Sequence, residues 1–442
     1  MEIQFDTTRH HKYDDYLNLF KNKPEEVFLH RIPGFNQSDV YLALAIPREL
    51  PLLYSDLSFR NNINATVNNT DANTALDRLI NENSLDSLLS EASIDTAIKG
   101  GVVFKNYLDN GKSKITYIQP DFYFPEFSKF DKRKIVKETI AYTFDDGKGE
   151  FLYREIYEPD ANSQYWCITK INNWYNGRIG KQISSEEINI KLTESPLTYI
   201  PYFRSGGEFW GYSIYDGLEP LFDELNHRCS QISKILDKHS DPNMYGDPSF
   251  LDEKNNIASG GKFFPVETGE EKPGYLTWKS ELESNFKFIE EVLFKILYMV
   301  SPLKPSLYGL DKVGSGTSGR VQKLKAFRTE CMVERSLLYW KQSLKKILYL
   351  SQQLEIISGN QKYKPEIPNI EIYVSLPRDS YEQAQEEQLK TVSGLTSVKS
   401  AIARINPHYT SAEVENEFLE IINEENEKSL QMFLGDRGGV GE

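Results

Sequence analysis

A turn rich in glycine and aromatic residues runs directly into a long amphipathic helix near the middle of the chain, and this block constrains the fold most strongly. The turn contains Tyr202, Phe203, Gly206, Gly207, Trp210 and Gly211. In the predicted helix, apolar residues recur at helical spacing at Leu218, Leu221, Phe222, Leu225, Cys229, Ile232 and Leu236. The helix should end before Asp241–Pro242, because proline cannot continue a helix and disfavours helical geometry in the preceding residue. None of these residues is an obvious catalyst, so the block is interpreted as framework.

The block resembles the portal proteins of tailed bacteriophages, in which such a turn leads from the wing of the subunit into a helix near the DNA channel. The matching residues are Tyr199, Ile200, Pro201, Gly206, Gly211, Ser213, Leu218, Pro220, Leu221, Asp223, Glu224, Leu225, Asn226, Ser230, Ile235, Leu236, His239, Ser240 and Pro242. Two further segments support the resemblance, a small-residue loop that opens a helix at 315–327 and a helical region at 389–425. The resemblance as a whole covers most of residues 80–428.

Hydrophobic periodicity predicts an α+β chain. Helices are expected at 12–21, 72–99, 217–239, 279–300 and 320–357, with helical pieces at 379–428 broken around Gly394 and Asn406–Pro407. Strands are expected on both sides of the turn Asp109-Asn110-Gly111 and at 135–145, 150–157, 164–172 and 187–193. This succession favours antiparallel pairing over a βαβ array. Short strands at 262–267 and 274–278 predict a small β-rich tip between two helices.

The resemblance implies an elongated subunit made of named parts. They are an N-terminal wing region at 1–216, stem helices at 217–240 and 281–300, a clip at 241–280, a tunnel loop at 301–319, a long helix with a wing strand at 320–378, a helical crown at 379–430 and a disordered tail at 431–442.

The same resemblance assigns candidate functional residues to two of these parts. The tunnel loop would project towards DNA in the channel through Lys304, Lys312, Gly314, Ser315, Gly316, Thr317, Ser318 and Arg320. The clip would contact a packaging motor or an adaptor protein through Phe250, Lys262, Phe263, Phe264, Tyr275 and Trp278.

Charge limits the kind of nucleic-acid contact that the chain can make. The formal net charge is −14, whereas proteins that grip DNA are usually basic, because contacts with phosphates dominate their affinity. An ordinary DNA-binding domain is therefore disfavoured. An acidic channel wall, which keeps a sliding duplex off the surface, is compatible with this charge.

No targeting segment or membrane span is expected from the sequence. The N-terminus is polar, and the most apolar window, 292–300, is nine residues long and contains Lys295, far short of the roughly twenty apolar residues of a span. The three cysteines, Cys167, Cys229 and Cys331, are odd in number and widely separated. This pattern disfavours a disulfide framework and fits a reducing compartment.

Motifs of catalysis and cofactor binding are missing from the sequence. The glycine-rich segment 314–320 does not follow the phosphate-loop pattern, and the six histidines have no metal-ligand spacing. The sequence therefore predicts no enzyme, no cofactor and no metal site.

The function that the resemblance implies is a homo-oligomeric ring, dodecameric in the virion, at one capsid vertex. Its partners would be double-stranded DNA without sequence specificity, the terminase large subunit, head-completion or adaptor proteins, and the major capsid and scaffolding proteins, with no membrane contact. The ring would be in the host cytoplasm during assembly. The alternatives are a head–tail adaptor, which is usually shorter, a metal-dependent nuclease of a mobile element, and a cytosolic scaffold without a DNA role.

Overall fold

The chain divides into two compact units, each assembled from segments that are distant in sequence. The computed structural model describes residues 7–28, 41–175, 177–240, 244–247, 263–266, 274–275, 281–308, 310, 319–359, 361–374, 380–406 and 409–435. The first unit comprises residues 1–54, 94–107 and 116–305, and the second comprises residues 55–93, 108–115 and 306–442. Both helices and strands are present, which confirms the predicted mixture of α and β structure.

The described helices and strands follow one another in blocks rather than in βαβ order. The helices are α1 Thr7–Phe20, α2 Pro24–Phe28, α3 Ile46–Phe59, α4 Thr70–Glu82, α5 Leu85–Lys99, α6 Glu219–Ser240, α7 Glu281–Phe288, α8 Phe294–Val300, α9 Gly319–Ile357, α10 Ser380–Val392, α11 Val398–Ile405 and α12 Ser411–Gly435. The strands are β1 Asn64–Thr66, β2 Gly101–Asp109, β3 Lys112–Ile118, β4 Tyr123–Phe127, β5 Ile135–Asp145, β6 Glu150–Pro159, β7 Tyr165–Tyr175, β8 Arg178–Asn189, β9 Leu197–Pro201, β10 Met244–Gly246, β11 Phe263–Pro265, β12 Gly274–Tyr275 and β13 Asn369–Glu371.

Five antiparallel strands in the order β4-β5-β6-β7-β8 form the largest sheet. The predicted strands at 135–145, 150–157 and 164–172 are confirmed as β5, β6 and β7. The strand predicted at 187–193 instead runs from Arg178 to Asn189. Nearly all of β8 is exposed to solvent, so its sequence lacks the apolar alternation by which a half-buried strand is recognised.

A second sheet, in the order β3-β2-β9, carries the predicted hairpin. Its two-residue loop places Asn110 at φ 49° and Gly111 at φ 77°, as a type I′ turn requires. The core of the first unit draws on both sheets and on the turn that follows β9, with Val103, Tyr123, Ile140, Tyr157, Leu197, Tyr199 and Phe209 packed together.

A nearly buried carboxylate joins the two sheets. Glu155 on β6 accepts hydrogen bonds from Lys105 Nζ at 2.5 Å, from the Tyr153 hydroxyl at 2.6 Å and from the Tyr157 hydroxyl at 2.9 Å. Burial by itself would raise the pKa of Glu155, but the charge of Lys105 and these three hydrogen bonds leave that pKa below its ordinary value.

Two glycines mark a backbone contact at the centre of the first unit. Gly100 follows α5 with φ +75°, and Gly211 lies in the turn after β9. A Cβ atom on either glycine would lie under 3.0 Å from the carbonyl oxygen of the other. The buried hydroxyl of Tyr199 accepts a hydrogen bond from Gly211 N at 3.0 Å and faces the Gly100 carbonyl at 3.4 Å. Burial raises the pKa of Tyr199 to about 12, so the hydroxyl stays protonated.

The residues after Gly211 satisfy the C-terminal carbonyls of α5. Ile214 N donates to Ala97 O at 2.9 Å, and Ser213 Oγ donates to Ile98 O at 2.6 Å. A helix leaves its last four carbonyls without intrahelical partners, and this turn supplies two of the missing donors. The framework interpretation of the central block therefore has a physical basis in this capping contact.

The sequence analysis did not predict α3, a helix in which one backbone hydrogen bond is replaced by a bond from a tyrosine side chain. Pro51 lies inside α3, and because proline has no N–H, it cannot bond the carbonyl of Pro47 one turn earlier. The hydroxyl of Tyr215 donates to that carbonyl instead, at 2.7 Å. The N-terminal part of α3 is thereby tied to the turn that precedes α6.

Polar residues of α6 hold the extended segment that precedes α3. Asn226 Oδ1 accepts from Leu44 N at 3.0 Å, and Ser230 Oγ accepts from Leu42 N at 2.8 Å. Both side chains are buried, and they lie four residues apart, which places them on one face of the helix. Two of the residues that carried the family resemblance therefore bind the backbone of the N-terminal region.

The second unit is built around the long helix α9. The predicted helix at 320–357 is confirmed as Gly319–Ile357, and its C-terminal half is buried along a row that includes Leu337, Trp340, Leu344 and Ile347. Trp340 meets Phe59 edge to face, with ring centroids 4.9 Å apart.

An ion pair fixes α4 on α9. Arg78 Nη2 donates to both carboxylate oxygens of Glu355, at 2.9 and 2.8 Å, and the Tyr363 hydroxyl donates to the same carboxylate at 2.8 Å. Strand β1 pairs antiparallel with β13 beside this helix pair.

Two predicted boundaries in the second unit differ from the structure. The predicted helix at 72–99 is two helices, because the side chain of Asn83 bonds Leu79 O at the end of α4 and Ser84 takes φ +47°. The predicted breaks in the C-terminal helical region are confirmed, since three helices are separated at Gly394, with φ +69°, and at Asn406. The tail predicted to be disordered from 431 is helical as far as Gly435, and residues 436–442 lie outside the described residues.

Replacement of Gly211 by alanine is expected to destabilise the protein by about 2–3 kcal/mol, because the new Cβ meets the backbone of Gly100 and the core must shift to admit it. Urea unfolding measures the loss. Gly149→Ala is the control, since a Cβ there meets nothing within 4 Å. Equal stability of the two variants would contradict the close approach.

Glu155→Gln is expected to cost about 3 kcal/mol at pH 7, since it leaves the ammonium of Lys105 buried without its counter-charge. Because the pKa of Glu155 is depressed on folding, its contribution is present above the ordinary carboxyl pKa and is lost as pH falls through the folded-state value. The gap between wild type and variant should therefore narrow in acid.

The check is urea unfolding of both proteins from pH 7 down to pH 3. Glu158→Gln on the same strand is the matched control, because its side chain is 43% exposed and lies 3.8 Å from Lys137, a pair worth about 1 kcal/mol or less. A gap that is constant with pH would argue against the ion pair.

Candidate functional site

Two helices of the first unit pack side by side, one before and one after residues 241–280 in the sequence. The guanidinium of Arg228 on α6 lies 5.5 Å from the ring centroid of Phe288 on α7, a cation–π contact. The predicted helices at 217–239 and 279–300 are both present, as α6 and as the continuous helical segment from Glu281 to Val300. Their identity as stem helices is a prediction that this packing leaves open.

A π-helical turn interrupts the second of these helices. Ile289–Leu293 has π geometry and separates α7 from α8. Such single wide turns are rare and often occur at functional sites. One face of the segment is buried through Ile289, Leu293 and Leu297.

The neighbouring face of the same segment exposes apolar side chains to solvent. Phe288 is 37%, Val292 40%, Ile296 38% and Met299 68% exposed. We call this row the apolar stripe. Val292 and Ile296 fit the apolar period from which the helix at 279–300 was predicted, and the sequence analysis did not identify the stripe. Apolar residues on more than one face of a helix were the available signal, because a surface helix of a monomer normally has a single apolar face.

On this segment four glutamates outnumber two lysines, and each lysine lies near one of the glutamates. Glu283 pairs with Lys287 at 2.9 Å, and Glu291 lies 3.9 Å from Lys295. Each pair is one helical turn apart and largely exposed, so it contributes little to stability. The segment therefore presents no concentrated positive charge to a polyanion.

Lys304 caps the end of α8. Its Nζ donates to the carbonyl of Tyr298 and, at 2.9 Å, to the carbonyl of Ser301. Ser301 has extended geometry, and its Oγ donates to Leu297 O at 2.7 Å, which completes the helix end. A cation at a helix C-terminus also interacts favourably with the helix dipole. The structure thus gives Lys304 a capping role, and its predicted contact with DNA stays a prediction.

Most of the other predicted site residues have no described side chain. Outside the described residues lie Lys312, Gly314, Ser315, Gly316, Thr317, Ser318, Phe250, Lys262 and Trp278. Arg320 lies in the first turn of α9, and Phe263 and Tyr275 lie in β11 and β12. Phe264 is 47% exposed.

The predicted β-rich tip contains three short strands. β10 pairs parallel with β11 and antiparallel with β12. The strands expected at 262–267 and 274–278 are present in shorter form as β11 and β12, and β10 was not predicted.

In the described part of the chain, no group of three or more His, Cys, Asp and Glu side chains is placed to hold a metal ion. A cleft of about 220 Å³ opens beside α1. Its cations have local partners, since Lys99 pairs with Asp121 at 2.6 Å and Arg9 stacks on Trp210 at 3.7 Å. No helix in the described ranges is both long and apolar enough to cross a bilayer.

Comparison with known proteins identifies a family for nearly the whole chain. A family model described as "Phage portal protein, SPP1 Gp6-like" matches residues 6–429. No curated protein matches the chain.

Two solved structures resemble the fold at low sequence identity. A chain from the neck of a native gene transfer agent particle computed with C12 symmetry aligns with TM-score 0.48 and 10% identity, covering 88% of this chain and 93% of that one. A chain from the virion of a native gene transfer agent particle aligns with TM-score 0.46 and 10% identity, covering 89% of this chain and 93% of that one.

Lys304→Met is expected to destabilise the end of α8 by about 1–2 kcal/mol, because it removes two charge-assisted hydrogen bonds from the last carbonyls. Hydrogen exchange of the amides at 297–301 measures the local effect. Lys295→Met is the control, since Lys295 is exposed and pairs only loosely with Glu291. Unchanged exchange in Lys304→Met would show that the ammonium does not hold the helix end.

Proposed function

Because the chain belongs to the SPP1 Gp6-like family of phage portal proteins, we propose that its copies close into a ring at one vertex of a capsid. The ring encloses the channel through which duplex DNA is packaged and later released, and it has twelve copies in the virion. The family match over residues 6–429 is the observation that carries this proposal. The contribution of each subunit is geometric, and the subunit itself hydrolyses no nucleotide.

The apolar stripe supports assembly from identical copies. Ring assembly uses heterologous interfaces, in which one surface of a subunit meets a different surface of the next subunit. The surfaces that meet at such an interface are exposed in the single chain and buried in the ring. The side chains of Val292, Ile296 and Met299 are apolar and exposed in the single chain, and we assign them to the contact between neighbouring copies.

The parts of the subunit follow the family pattern in this proposal. Helices α6 and α7–α8 form the stem, β10 to β12 belong to the clip at 241–280, and residues 301–319 form the tunnel loop. The wing comprises the N-terminal region together with α9 and β13, and α10 to α12 form the crown. The clip residues predicted above meet the terminase large subunit during packaging and a head-completion or adaptor protein afterwards.

Contact with DNA is independent of sequence in this proposal. The net charge of −14 and the excess of glutamate over lysine on the segment 281–300 both disfavour a surface that grips phosphates. A duplex can then slide along the channel without strong retention. Contacts with the major capsid and scaffolding proteins place the ring at its vertex during assembly in the host cytoplasm.

Negative-stain electron microscopy with mass determination by light scattering tests the proposal. The expected result is a ring of about twelve copies with a central hole wide enough for B-DNA. A monomer that binds divalent metal with a rise in melting temperature and cleaves DNA would support the nuclease alternative instead. An assembly without a central channel would favour a scaffold.

Ile296→Gln combined with Met299→Gln is expected to raise the subunit concentration needed for half-assembly at least tenfold. The two changes remove apolar area from each interface, and every 1.4 kcal/mol corresponds to a factor of ten in affinity. Glu290→Gln is the control, because it introduces the same side chain at an exposed position off the stripe. If the double variant assembles at the wild-type concentration, the stripe does not belong to the interface.

A further inference from the structure

A cationic loop with an exposed aromatic tip lies at one end of the five-stranded sheet. Residues 128–134, which we call the basic loop, join β4 to β5. Phe130 is 99% exposed. Four cations share this loop with a single carboxylate, that of Asp131, and they are Lys129, Lys132, Arg133 and Lys134. This concentration of positive charge contrasts with a chain whose net charge is −14.

The basic loop is held by its own hydrogen bonds. Ser128 N donates to Lys134 O at 2.8 Å, and Lys134 N donates to Asp131 O at 3.2 Å. Within the loop, Ser128 Oγ accepts from Phe130 N at 3.3 Å, and Asp131 Oδ1 accepts from Arg133 N at 2.9 Å. The backbone around Phe130 is therefore ordered before binding, which lowers the entropic cost of docking the tip.

The cations of the basic loop have no carboxylate partner among the described residues. The nearby carboxylates of the sheet pair with other lysines, since Glu155 pairs with Lys105, and Glu126 and Glu158 pair with Lys137. In the described part of the chain, no carboxylate oxygen lies within 4.0 Å of a side-chain nitrogen of a loop cation. A solvent-exposed phenylalanine surrounded by such cations has the composition of an interface anchor with a charged rim.

The opposite end of the sheet carries the complementary surface. The turn between β5 and β6 contains the carboxylates of Asp145, Asp146 and Glu150 with only Lys148 against them, and all four residues are exposed. We call this segment, 145–150, the acidic turn.

Beside the acidic turn, aromatic rings are paired across β5 and β6. Phe144 stacks on Phe151 with ring centroids 5.5 Å apart, and Tyr142 meets Tyr153 at 5.0 Å. These four residues lie on one face of the sheet because successive side chains of a strand alternate between faces. Phe144 is 36% and Tyr142 42% exposed, so the rings form an accessible apolar surface.

The basic loop and the acidic turn of one molecule cannot meet. They lie at the two ends of β5, whose eleven residues separate them by about 35 Å at roughly 3.3 Å per residue. No lysine side chain spans that distance. If the two surfaces are complementary, they must belong to different copies of the chain.

We propose that the basic loop of one copy docks on the acidic turn and the paired aromatic rings of the next copy. Phe130 packs against Phe144 and Phe151, while the surrounding lysines pair with Asp145, Asp146 and Glu150. A loop that meets a different surface on an identical molecule makes a heterologous contact, which repeats around a closed ring. The inference thus rests on the proposed ring and adds to it a second contact between neighbours, remote in sequence from the apolar stripe.

Nucleic acid is the competing occupant, because duplex DNA would also attract four cations. Phosphates would leave the ring of Phe130 without an apolar acceptor, whereas the aromatic pairs of a second copy provide one. The second copy therefore accounts for both the charge and the aromatic tip.

Photo-crosslinking locates the partner directly. Phe130→p-benzoylphenylalanine keeps an aromatic side chain at the tip, and a mixture of isotopically light and heavy chains distinguishes contacts between copies from contacts within one. The expected product joins position 130 of one chain to a peptide containing residues 142–153 of another. Crosslinks from position 130 to any other region, in assembled rings, would overturn the docking proposal and leave the ring itself standing.

Charge reversal tests the same contact by assembly. The loop variant carries Lys132→Glu and Lys134→Glu, and the turn variant carries Asp146→Asn and Glu150→Lys, which keeps a side-chain oxygen at 146 for the hydrogen bond from Lys148 N. Each variant should raise the half-assembly concentration about tenfold, and the combined variant should return to within threefold of wild type. Lys21→Glu, at an exposed position that follows α1 and lies outside the five-stranded sheet, is the control.

The outcomes separate the failure of this contact from failure of the ring. Assembly unchanged in both variants overturns the docking proposal only. If the loop variant assembles normally but retains less duplex DNA on a filter, the basic loop binds nucleic acid and the proposal is wrong. A wild-type chain that stays monomeric and gives no crosslink between copies overturns the docking and the ring together.

Discussion

The close approach of two backbones at Gly100 and Gly211 is the constraint on which the first unit depends. There is no room for a Cβ atom on either side, so the end of α5 and the turn after β9 can meet only through glycine. Once they meet, Ser213 and Ile214 reach the last carbonyls of α5. The same turn determines where α6 begins. Helix α6 in turn binds the N-terminal segment through Asn226 and Ser230. The backbone contact between the two glycines thus determines the positions of α5, α6 and the N-terminal segment relative to one another.

Much of this framework could be predicted from sequence, because periodicity reports burial. Helices α6 and α9 and strands β5 to β7 bury regular rows of apolar residues and were predicted close to their observed bounds. Where long-range contacts decide the local structure, prediction failed. Helix α3 contains Pro51 and depends on Tyr215, and the end of α4 depends on Asn83, whose Oδ1 accepts from Ile115 N at 2.9 Å. β8 is exposed almost throughout, so it has no apolar pattern to detect.

The candidate site was less predictable than the fold, since surfaces that bind a partner look like core in sequence. Val292 and Ile296 fit the apolar period of a packed helix, yet they are exposed in the single chain. Lys304 was selected for its charge near a glycine-rich loop, and the structure uses that charge at a helix end. The basic loop shows the converse case. Its lysines are typical of solvated surface, and only the exposure of Phe130 between them distinguishes the segment from an ordinary turn.

The π turn at Ile289–Leu293 has a consequence for how far a surface row can run along one helix. In an α-helix, residues four apart advance by about 40° around the axis, so a row of such residues drifts to another face within about three turns. A π turn holds more residues per turn and reverses that drift locally. Phe288, Val292 and Ile296 can then stay in line, and so can the buried row of Ile289, Leu293 and Leu297. A single wide turn thus compensates for the angular drift of the α-helix, so that the exposed apolar row and the buried row each stay on one face of the helical segment.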